Sequence, residues 1–221
     1  MAIAAKALAV IGSLVLAGTG LVLYGQTLGA KPVSNSTNLL DVPRHPVTDT
    51  MWREARAQVG KPAPPFELAD SDGRNVALLD LCRSKPVVLV FTKDGCPCSI
   101  ESQPFFNRLA SGYAGKVAFL GVIDGPKHVA SKYRDDFKVP YPMLLAEDGA
   151  VFRAFRSGRS VYTTLVGTDG TVLRQWPGYS KGMLGELNAD LAQFTSSSHI
   201  NIDLSMAPDK LNSGCDFDTG Q

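Results

Sequence analysis

The chain has 221 residues, of which 44% are hydrophobic and 19% are charged, a composition typical of a globular domain with extensions. The formal net charge of +1 offers no basic surface for nucleic acid, so nucleic-acid binding is disfavoured. There are too few cysteines for a disulfide-scaffolded miniprotein, and their spacing differs from the two separated ligand pairs of a zinc finger. The four are Cys82, Cys96, Cys98 and Cys215.

An uncharged apolar stretch opens the chain, over residues 7–30. A helix needs about 20 such residues to cross the hydrocarbon core of a bilayer, so this stretch predicts a transmembrane anchor. Lys6 and the amino terminus precede it, which predicts a cytoplasmic N-terminus and an extracytoplasmic remainder. A cleaved signal peptide ending near Ala30 is the alternative. Both interpretations export the domain into surroundings where disulfides persist.

The rest of the chain divides by composition into a linker, one domain and a tail. Residues 31–58 are rich in Pro, Ser, Thr and Asn, which predicts a solvated linker with a short helix near its end. The domain covers residues 59–195, and a tail without helical periodicity follows over 196–221. In chain order, the domain's patterns predict a hairpin over 61–78, strands over 85–91 and 117–123, helices over 99–115 and 127–137, paired strands within 161–176, and a helix over 183–194.

Strands and helices alternate in this order before the final hairpin and helix. Such alternation predicts a three-layer α/β domain around a central, mostly parallel sheet. The run "KPVVLVF" at residues 85–91 is continuously apolar and β-branched, which is typical of a strand buried on both faces.

Several phrases of this domain resemble those of the thioredoxin-fold redoxins, the group that includes peroxiredoxins and the membrane-tethered thiol-disulfide proteins of bacteria. They are "GKPAPPFELADSDGRNVALLDL", "KPVVLVFTKDGCPC", "GVID", "VPYPMLLAEDG" and "TLVGTDGTVLRQWPG", and the resemblance runs from residue 59 to about 194. It implies a thioredoxin-like three-layer α/β fold with a central mixed sheet, here preceded by the N-terminal transmembrane helix.

Two cysteines, Cys96 and Cys98, flank Pro97 between a buried strand and a helix. This position is the carboxyl edge of the sheet and a helix N-terminus, where a thiolate is stabilised and reactive. A disulfide needs Cα atoms about 4.4–6.8 Å apart, which residues i and i+2 reach only when the backbone bends, as Pro97 permits. Such a bond is expected to be strained and therefore oxidising. Inert thiols or metal ligands are the alternative.

The resemblance implies two different activities for this pair. Peroxiredoxins place the peroxidatic cysteine in a Pro-x-x-x-Thr-x-x-Cys pattern with a separate arginine. Here Thr92 lies four residues before Cys96, Val88 stands at the proline position, and Arg159 is a candidate for the arginine. Thioredoxin-like exchangers carry a cis-proline just before the strand "TTLV", whereas this chain has "RSVYTTLV" without a proline.

Two further cysteines and one carboxylate complete the candidate site residues. Cys215, on the tail, is a candidate to fold back and resolve a sulfenic acid or mixed disulfide on Cys96. Cys82 is either a structural thiol or a static disulfide partner of Cys215. Glu101 is expected either to steer protons for the thiols or to cap the helix N-terminus.

A Cu(I)-binding module is a competing function, because soft thiolates suit Cu(I) and related copper chaperones share this fold. Those relatives add a histidine near the strand that reads "VYTTLV" in this chain. The histidines of this chain lie elsewhere in the sequence: they are His45, His128 and His199.

The sequence thus predicts an exported, membrane-tethered thiol-disulfide oxidoreductase, with Cys96 as the more exposed attacking thiolate and Cys98 as the resolving thiol. A peroxiredoxin-like peroxide reductase is the first alternative, with Cys96 or Cys98 peroxidatic and Cys215 resolving. A Cu(I) module and a domain that only binds are the others. The expected partners are exported protein thiols or a small peroxide, an unidentified thiol electron donor, and the membrane through residues 7–30. No cofactor and no resident metal are expected.

Overall fold

The structure, a computed structural model, describes residues 43–217. The predicted transmembrane segment at residues 7–30 lies outside this range. Among the described residues, no helix combines the length and the apolar character needed to cross a bilayer.

Five strands form one central sheet in the order β5-β4-β3-β6-β7, and β1 and β2 pair separately as an antiparallel hairpin. In the central sheet, β3, β4 and β5 run parallel, while β6 pairs antiparallel with both β3 and β7. The sheet is therefore mixed. The strands are β1 (Glu67–Ala69), β2 (Asn75–Ala77), β3 (Val87–Thr92), β4 (Ala118–Ile123), β5 (Met143–Leu145), β6 (Thr163–Val166) and β7 (Val172–Trp176).

Helices cover both faces of this sheet. They are α1 (Asp49–Arg56), α2 (Leu78–Cys82), α3 (Pro97–Gly112), α4 (Lys127–Asp136), α5 (Ala150–Ala154) and α6 (Lys181–Phe194). Every residue of β3 is buried, and because successive side chains of a strand point to opposite faces, this strand divides the core in two. Val88 and Val90 pack with α3, α4 and α6, whereas Val87, Leu89 and Phe91 pack with α2 and α5.

The expected elements appear close to their predicted bounds, and the structure has three short elements that were not predicted. Strand β5 has three residues and helices α2 and α5 have five each, which is too short for a periodic pattern. Helix α1 occupies most of the second half of the predicted linker and packs against β7. The part of that linker that the structure describes is therefore folded onto the domain.

The predicted tail also packs on the domain. Asp216 forms a backbone bridge with Arg159, and Asn212 bridges both Pro46 and Tyr179. The Phe217 ring stacks on Phe152, with ring centroids 3.9 Å apart. The segments on either side of the domain therefore meet each other, and they do so at the carboxyl end of β3.

Candidate active site

Cys96 and Cys98 lie at the N-terminus of α3, where the chain turns out of the buried strand β3. Gly95 has φ +69°, a left-handed conformation that glycine adopts without strain. Cys96 follows as the N-cap residue in extended conformation, and Pro97 occupies the first helical position, where its missing N–H is not needed. The thiols therefore lie at the N-terminus of a 16-residue helix, where the free N–H groups favour a negative charge.

Four donors, one of them the Cys215 thiol, surround the Cys96 sulfur. The Cys98 thiol donates to it, the Ser160 hydroxyl donates at 3.2 Å, and the backbone N–H of Cys215 donates at 3.2 Å. Hydrogen bonds to the charged form favour ionisation, and together they lower the pKa of Cys96 to about 3 in spite of its burial. Cys96 is thus held as a thiolate at neutral pH.

The pKa of Cys98 is shifted in the opposite direction from that of Cys96. Its hydrogen bond to Cys96 and its burial both raise the pKa of its thiol far above the ordinary range. Two further groups reach its sulfur: the amide nitrogen of Asn212 donates at 3.4 Å, and Nδ1 of His45 lies 3.6 Å away. The pair therefore combines one stabilised thiolate with one protonated thiol.

A strained turn places Ser160 beside Cys96. Val161, the next residue, has φ +61°, a conformation that is rare for a β-branched residue. Its N–H donates to the carbonyl of Phe91 at 2.7 Å, and the N–H of Phe91 donates to the carbonyl of Tyr162 at 2.9 Å. These two bonds hold the turn against β3. This turn stands where the exchangers of the redoxin group carry their cis-proline.

The segment from Asn212 to Phe217, here called the C-terminal strap, covers the cysteines. It pairs with the turn before β6 through bonds from Gly214 N–H to Ser160 O at 2.9 Å and from Ser160 N–H to Cys215 O at 2.9 Å. A Cβ added to Gly214 would overlap the Ser160 hydroxyl and lie 3.0 Å from the Cys96 sulfur. Only glycine permits so close an approach of backbone to the thiolate.

The strap buries both cysteines of the pair. Cys96, predicted to be the more exposed of the pair, is 1% exposed, and Cys98 is 0% exposed. Both thiols are therefore buried, because residues far along the chain fold over them.

The other predicted site residues are dispersed. Thr92 is buried at the end of β3, and its hydroxyl donates to the Val90 carbonyl at 3.4 Å. Glu101 lies in the second turn of α3, where it accepts from Arg44 at 2.6 Å and from the Tyr179 hydroxyl at 3.4 Å. The expectation that Glu101 caps the helix is wrong, because its carboxylate binds these two side chains.

The remaining cysteines lie in different places. Cys215 adjoins Cys96, to which its thiol also hydrogen-bonds, and burial together with that bond raises its pKa to about 11. Cys82 is buried in the apolar cluster on the other face of the sheet. The structure therefore separates Cys82 from Cys215, and both are free thiols.

Comparison with known proteins identifies the family of this chain. The model of the AhpC/TSA family matches residues 59–195. The chain belongs to the AhpC/TSA family. Over 117 residues it is 34% identical to "Thiol-disulfide oxidoreductase ResA" of Geobacillus thermodenitrificans, a match that covers 52% of this chain and 66% of that protein. Over 103 residues it is 26% identical to "Putative peroxiredoxin bcp" of Helicobacter pylori, covering 46% of this chain and 68% of that protein.

Among solved structures, an uncharacterized conserved protein from Geobacillus kaustophilus superposes with a TM-score of 0.60 at 21% identity, covering 72% of this chain and 90% of that one. A likeness at this identity shows the fold alone. The predicted thioredoxin-like α/β fold with a mixed sheet is confirmed, as is the prediction of a redoxin-family oxidoreductase. The relatives carry two different activities in their names, so the choice between them depends on the site itself.

Sequence reasoning missed three residues of this site: His45, Ser160 and Asn212. His45 lies in the proline-rich "DVPRHPV", where nothing in the pattern distinguishes it from a linker residue. Asn212 and Ser160 are polar residues in irregular segments. The one available signal is "SGC" at residues 213–215, since glycine next to a cysteine permits close backbone packing.

Proposed function

We propose that this protein is a thiol-disulfide oxidoreductase in which Cys96 is the nucleophile and Cys98 the resolving thiol. The observation that carries the proposal is the set of donors at the Cys96 sulfur: the Cys98 thiol, and the Ser160 hydroxyl and the Cys215 amide at 3.2 Å each, which together lower its pKa to about 3. The thiolate is the reactive form in disulfide exchange, and a stabilised thiolate is also a good leaving group.

The expected direction of electron flow follows from this thiolate. Stabilising the reduced form makes the Cys96–Cys98 disulfide a stronger oxidant. A substrate thiolate attacks Cys96 and breaks the Cys96–Cys98 bond, which leaves Cys98 reduced and the substrate in a mixed disulfide. A second substrate thiolate then attacks the substrate sulfur and releases the Cys96 thiolate. The substrate loses two electrons as its disulfide forms, and the enzyme pair gains them.

Access to Cys96 requires movement of the C-terminal strap. At 1% exposure, the Cys96 sulfur cannot meet a sulfur on another protein while Gly214 and Cys215 lie against it. Cys215 is already in place, however, so a Cys96–Cys215 disulfide needs little rearrangement. We therefore propose Cys215 as a second, internal resolving thiol.

The proposed substrates are exported protein thiols, with an unidentified thiol partner completing the redox cycle. This follows from the apolar segment at residues 7–30, which we propose as a single-pass anchor with the redox domain on the extracytoplasmic side. Disulfide formation is favoured in that compartment.

Peroxide reduction is a second candidate, supported by a thiolate with a neighbouring resolving thiol, Cys215. It requires the Cys96 thiolate to take one oxygen atom from the peroxide, whose remainder leaves as water or an alcohol, and so to become a sulfenic acid. The Cys215 thiol then attacks the Cys96 sulfur, forms the Cys96–Cys215 disulfide and releases the oxygen as water. The other expected peroxidatic residues give it less support. Thr92 bonds to Val90, and Arg159 forms an ion pair with Asp216 at 2.7 Å. Exchange chemistry is therefore the leading proposal.

The Cu(I) alternative has less support than exchange, although His45 Nδ1 lies 3.6 Å from the Cys98 sulfur. Within residues 43–217, no group of three or more His, Cys, Asp or Glu side chains is arranged to hold a metal ion.

The test is a redox titration of the full chain, kept in mild detergent and equilibrated across a series of glutathione buffers. Differential alkylation and mass mapping report which cysteines pair and at what potential. We expect a Cys96–Cys98 disulfide at a potential well above the roughly −270 mV of thioredoxin. If both cysteines stay reduced in every buffer, yet peroxide converts Cys96 to a sulfenic acid or joins it to Cys215, the protein is a peroxidase and the leading proposal is wrong.

A further inference from the structure

Cys98 must exchange a proton in every catalytic cycle, although it lies out of contact with solvent. Its side chain is 0% exposed, so bulk water does not reach its sulfur while the C-terminal strap covers the site. Burial and the contact with Cys96 also make its thiol hard to ionise. A protein group in contact with the sulfur is needed for this transfer.

Two side chains from outside the central domain reach the Cys98 sulfur. His45 places Nδ1 3.6 Å from it, and Asn212 places its amide nitrogen 3.4 Å from it. An unprotonated imidazole nitrogen accepts a proton, whereas a primary amide only donates a hydrogen bond. His45 is half-buried, so its ring links the buried thiol with the solvent side of the site.

We propose that His45 is the proton acceptor and donor for Cys98. This inference rests on the proposed exchange function. When Cys98 resolves a mixed disulfide on Cys96, its proton moves to His45 Nδ1 and its sulfur attacks the Cys96 sulfur. The bond from Cys96 to the substrate sulfur breaks, and the substrate leaves as a thiolate. In the oxidising direction the steps reverse, and the imidazolium returns the proton to Cys98 as the Cys96–Cys98 bond breaks.

The backbone around His45 fixes the ring beside the thiol. His45 N–H donates to the side-chain oxygen of Asn212 at 3.0 Å, while the carbonyl of His45 accepts from Ser213 N–H at 2.9 Å and from the Ser213 hydroxyl at 3.0 Å. Because the Asn212 oxygen is engaged with His45, its amide nitrogen points to Cys98 and stabilises the thiolate that forms after the transfer. Asn212 is therefore a positioning residue in this step.

Other charged or titratable groups face the same space. Glu101 adds negative charge near Cys98, but its carboxylate is bound by Arg44 at 2.6 Å and accepts from the Tyr179 hydroxyl. Cys96 is itself a reacting group, and Cys215 is protonated, with its pKa raised to about 11. Among the described residues that face Cys98, His45 is the group whose ring nitrogen lies within reach of the sulfur and can both accept and return a proton.

The test uses His45→Gln in the full chain, in a Cys215→Ser background so that only Cys98 can resolve. The control is His128→Gln, the same change at an exposed histidine of α4. The reduced protein is mixed with an excess of an aromatic disulfide whose thiolate is coloured. Attack by Cys96 releases a first equivalent of colour, and attack by Cys98 on the mixed disulfide releases a second.

We expect His45→Gln to leave the first phase unchanged and to slow the second by about 10²-fold, the usual contribution of a general base. The pH dependence of the second phase should flatten, and added imidazole should restore part of its rate. His128→Gln should behave as the parent.

The outcomes separate this inference from the proposed function. If the parent shows no first phase, Cys96 does not perform exchange and the proposed function fails with everything that rests on it. If the parent shows both phases and His45→Gln keeps the second-phase rate and pH profile, the proton-transfer role is overturned while the exchange function stands. Equal slowing of both phases, without imidazole rescue, would identify a purely structural role and would also overturn it.

Discussion

Cys82 and Cys96 lie on opposite faces of the same sheet and are almost equally buried, at 2% and 1% exposure. Burial raises the pKa of the Cys82 thiol, with a further contribution from Asp169. The pKa of Cys96 is instead lowered to about 3, because Cys98, Ser160 and the Cys215 amide donate to its sulfur. The comparison shows that burial alone gives an inert thiol, and that hydrogen-bond donors turn a buried thiol into a nucleophile.

The largest difference between the two thiols should appear in activity. We expect Cys96→Ser to lower the rate of disulfide exchange by at least about 10³-fold, because the hydroxyl that replaces the thiolate cannot exchange. Cys82→Ala should keep the rate within about twofold and cost about 1 kcal/mol of stability. The measurement is the oxidation of a reduced model protein by each full-length variant in an oxidising glutathione buffer. Similar rates for the two variants would remove the basis of the comparison.

The two thiols should also differ in how they couple stability to pH. The native pKa of Cys96 lies below its unfolded value, so between these two values the unfolded chain binds one more proton than the native chain. The free energy of unfolding should then rise with pH, by at most about 1.4 kcal/mol per unit. This contribution is complete above the unfolded pKa and is lost as pH falls toward 3.

Chemical denaturation of the reduced protein at several values between about pH 4 and pH 8 measures this slope. Cys96→Ser should lose it, and Cys82→Ala should retain it. An unchanged slope in Cys96→Ser would mean that other groups produce the pH dependence.

Removing the Ser160 hydroxyl tests how much this one donor contributes to the lowered pKa of Cys96. Ser160→Ala deletes the hydroxyl 3.2 Å from the Cys96 sulfur. A hydrogen bond to a charged group contributes about 1.5–3 kcal/mol, so the pKa of Cys96 should rise by about one to two units. Ultraviolet titration of the thiolate reports the change. Ser157→Ala is the matched control, since this buried hydroxyl donates to Phe152 O and does not contact Cys96; an equal shift there would refute the specific role of Ser160.

The strap can be loosened without truncating the chain. A methyl group at Gly214 would collide with Ser160 and crowd the Cys96 sulfur, so Gly214→Ala should displace the strap. We expect alkylation of Cys96 by iodoacetamide near pH 8 to accelerate about tenfold, because a covered site reacts only through local opening. Gly185→Ala is the control, since a Cβ there meets open space. Unchanged reactivity in Gly214→Ala would show that the strap does not limit access.

The smallest effect is expected at the exposed end of the strap. Asp216→Asn removes the ion pair with Arg159. The side chain of Asp216 is 73% exposed and that of Arg159 is 32% exposed. Exposed pairs contribute about 0–1 kcal/mol and weaken with salt. We therefore expect a change in thermal stability equivalent to less than about 1 kcal/mol and little change in Cys96 alkylation. A large increase in alkylation would mean that this ion pair, and not the backbone pairing, holds the strap.

Local pattern was sufficient to predict the regular part of the fold. Residues close in sequence encode the continuous apolar run of β3, the helix after Cys98 and the turn between β6 and β7. They also encode the position of the cysteine pair. The environment of that pair is not encoded by residues close in sequence, since the contact from His45 to Asn212 joins residues 167 positions apart. Single polar residues in irregular segments carry no periodic signal, so sequence alone could predict a reactive pair but not the groups that tune it.

The order in which the chain is synthesised bears on when Cys96 becomes acidic. Its amide donor at residue 215 lies 119 positions later, so at ordinary translation rates it is made roughly 6 to 24 s after Cys96. Until then Cys96 has neither that donor nor the C-terminal strap that covers it. Its pKa is therefore closer to that of an ordinary thiol. The reactive centre is thereby completed among the last events of biogenesis, after the sheet that supports it has been made.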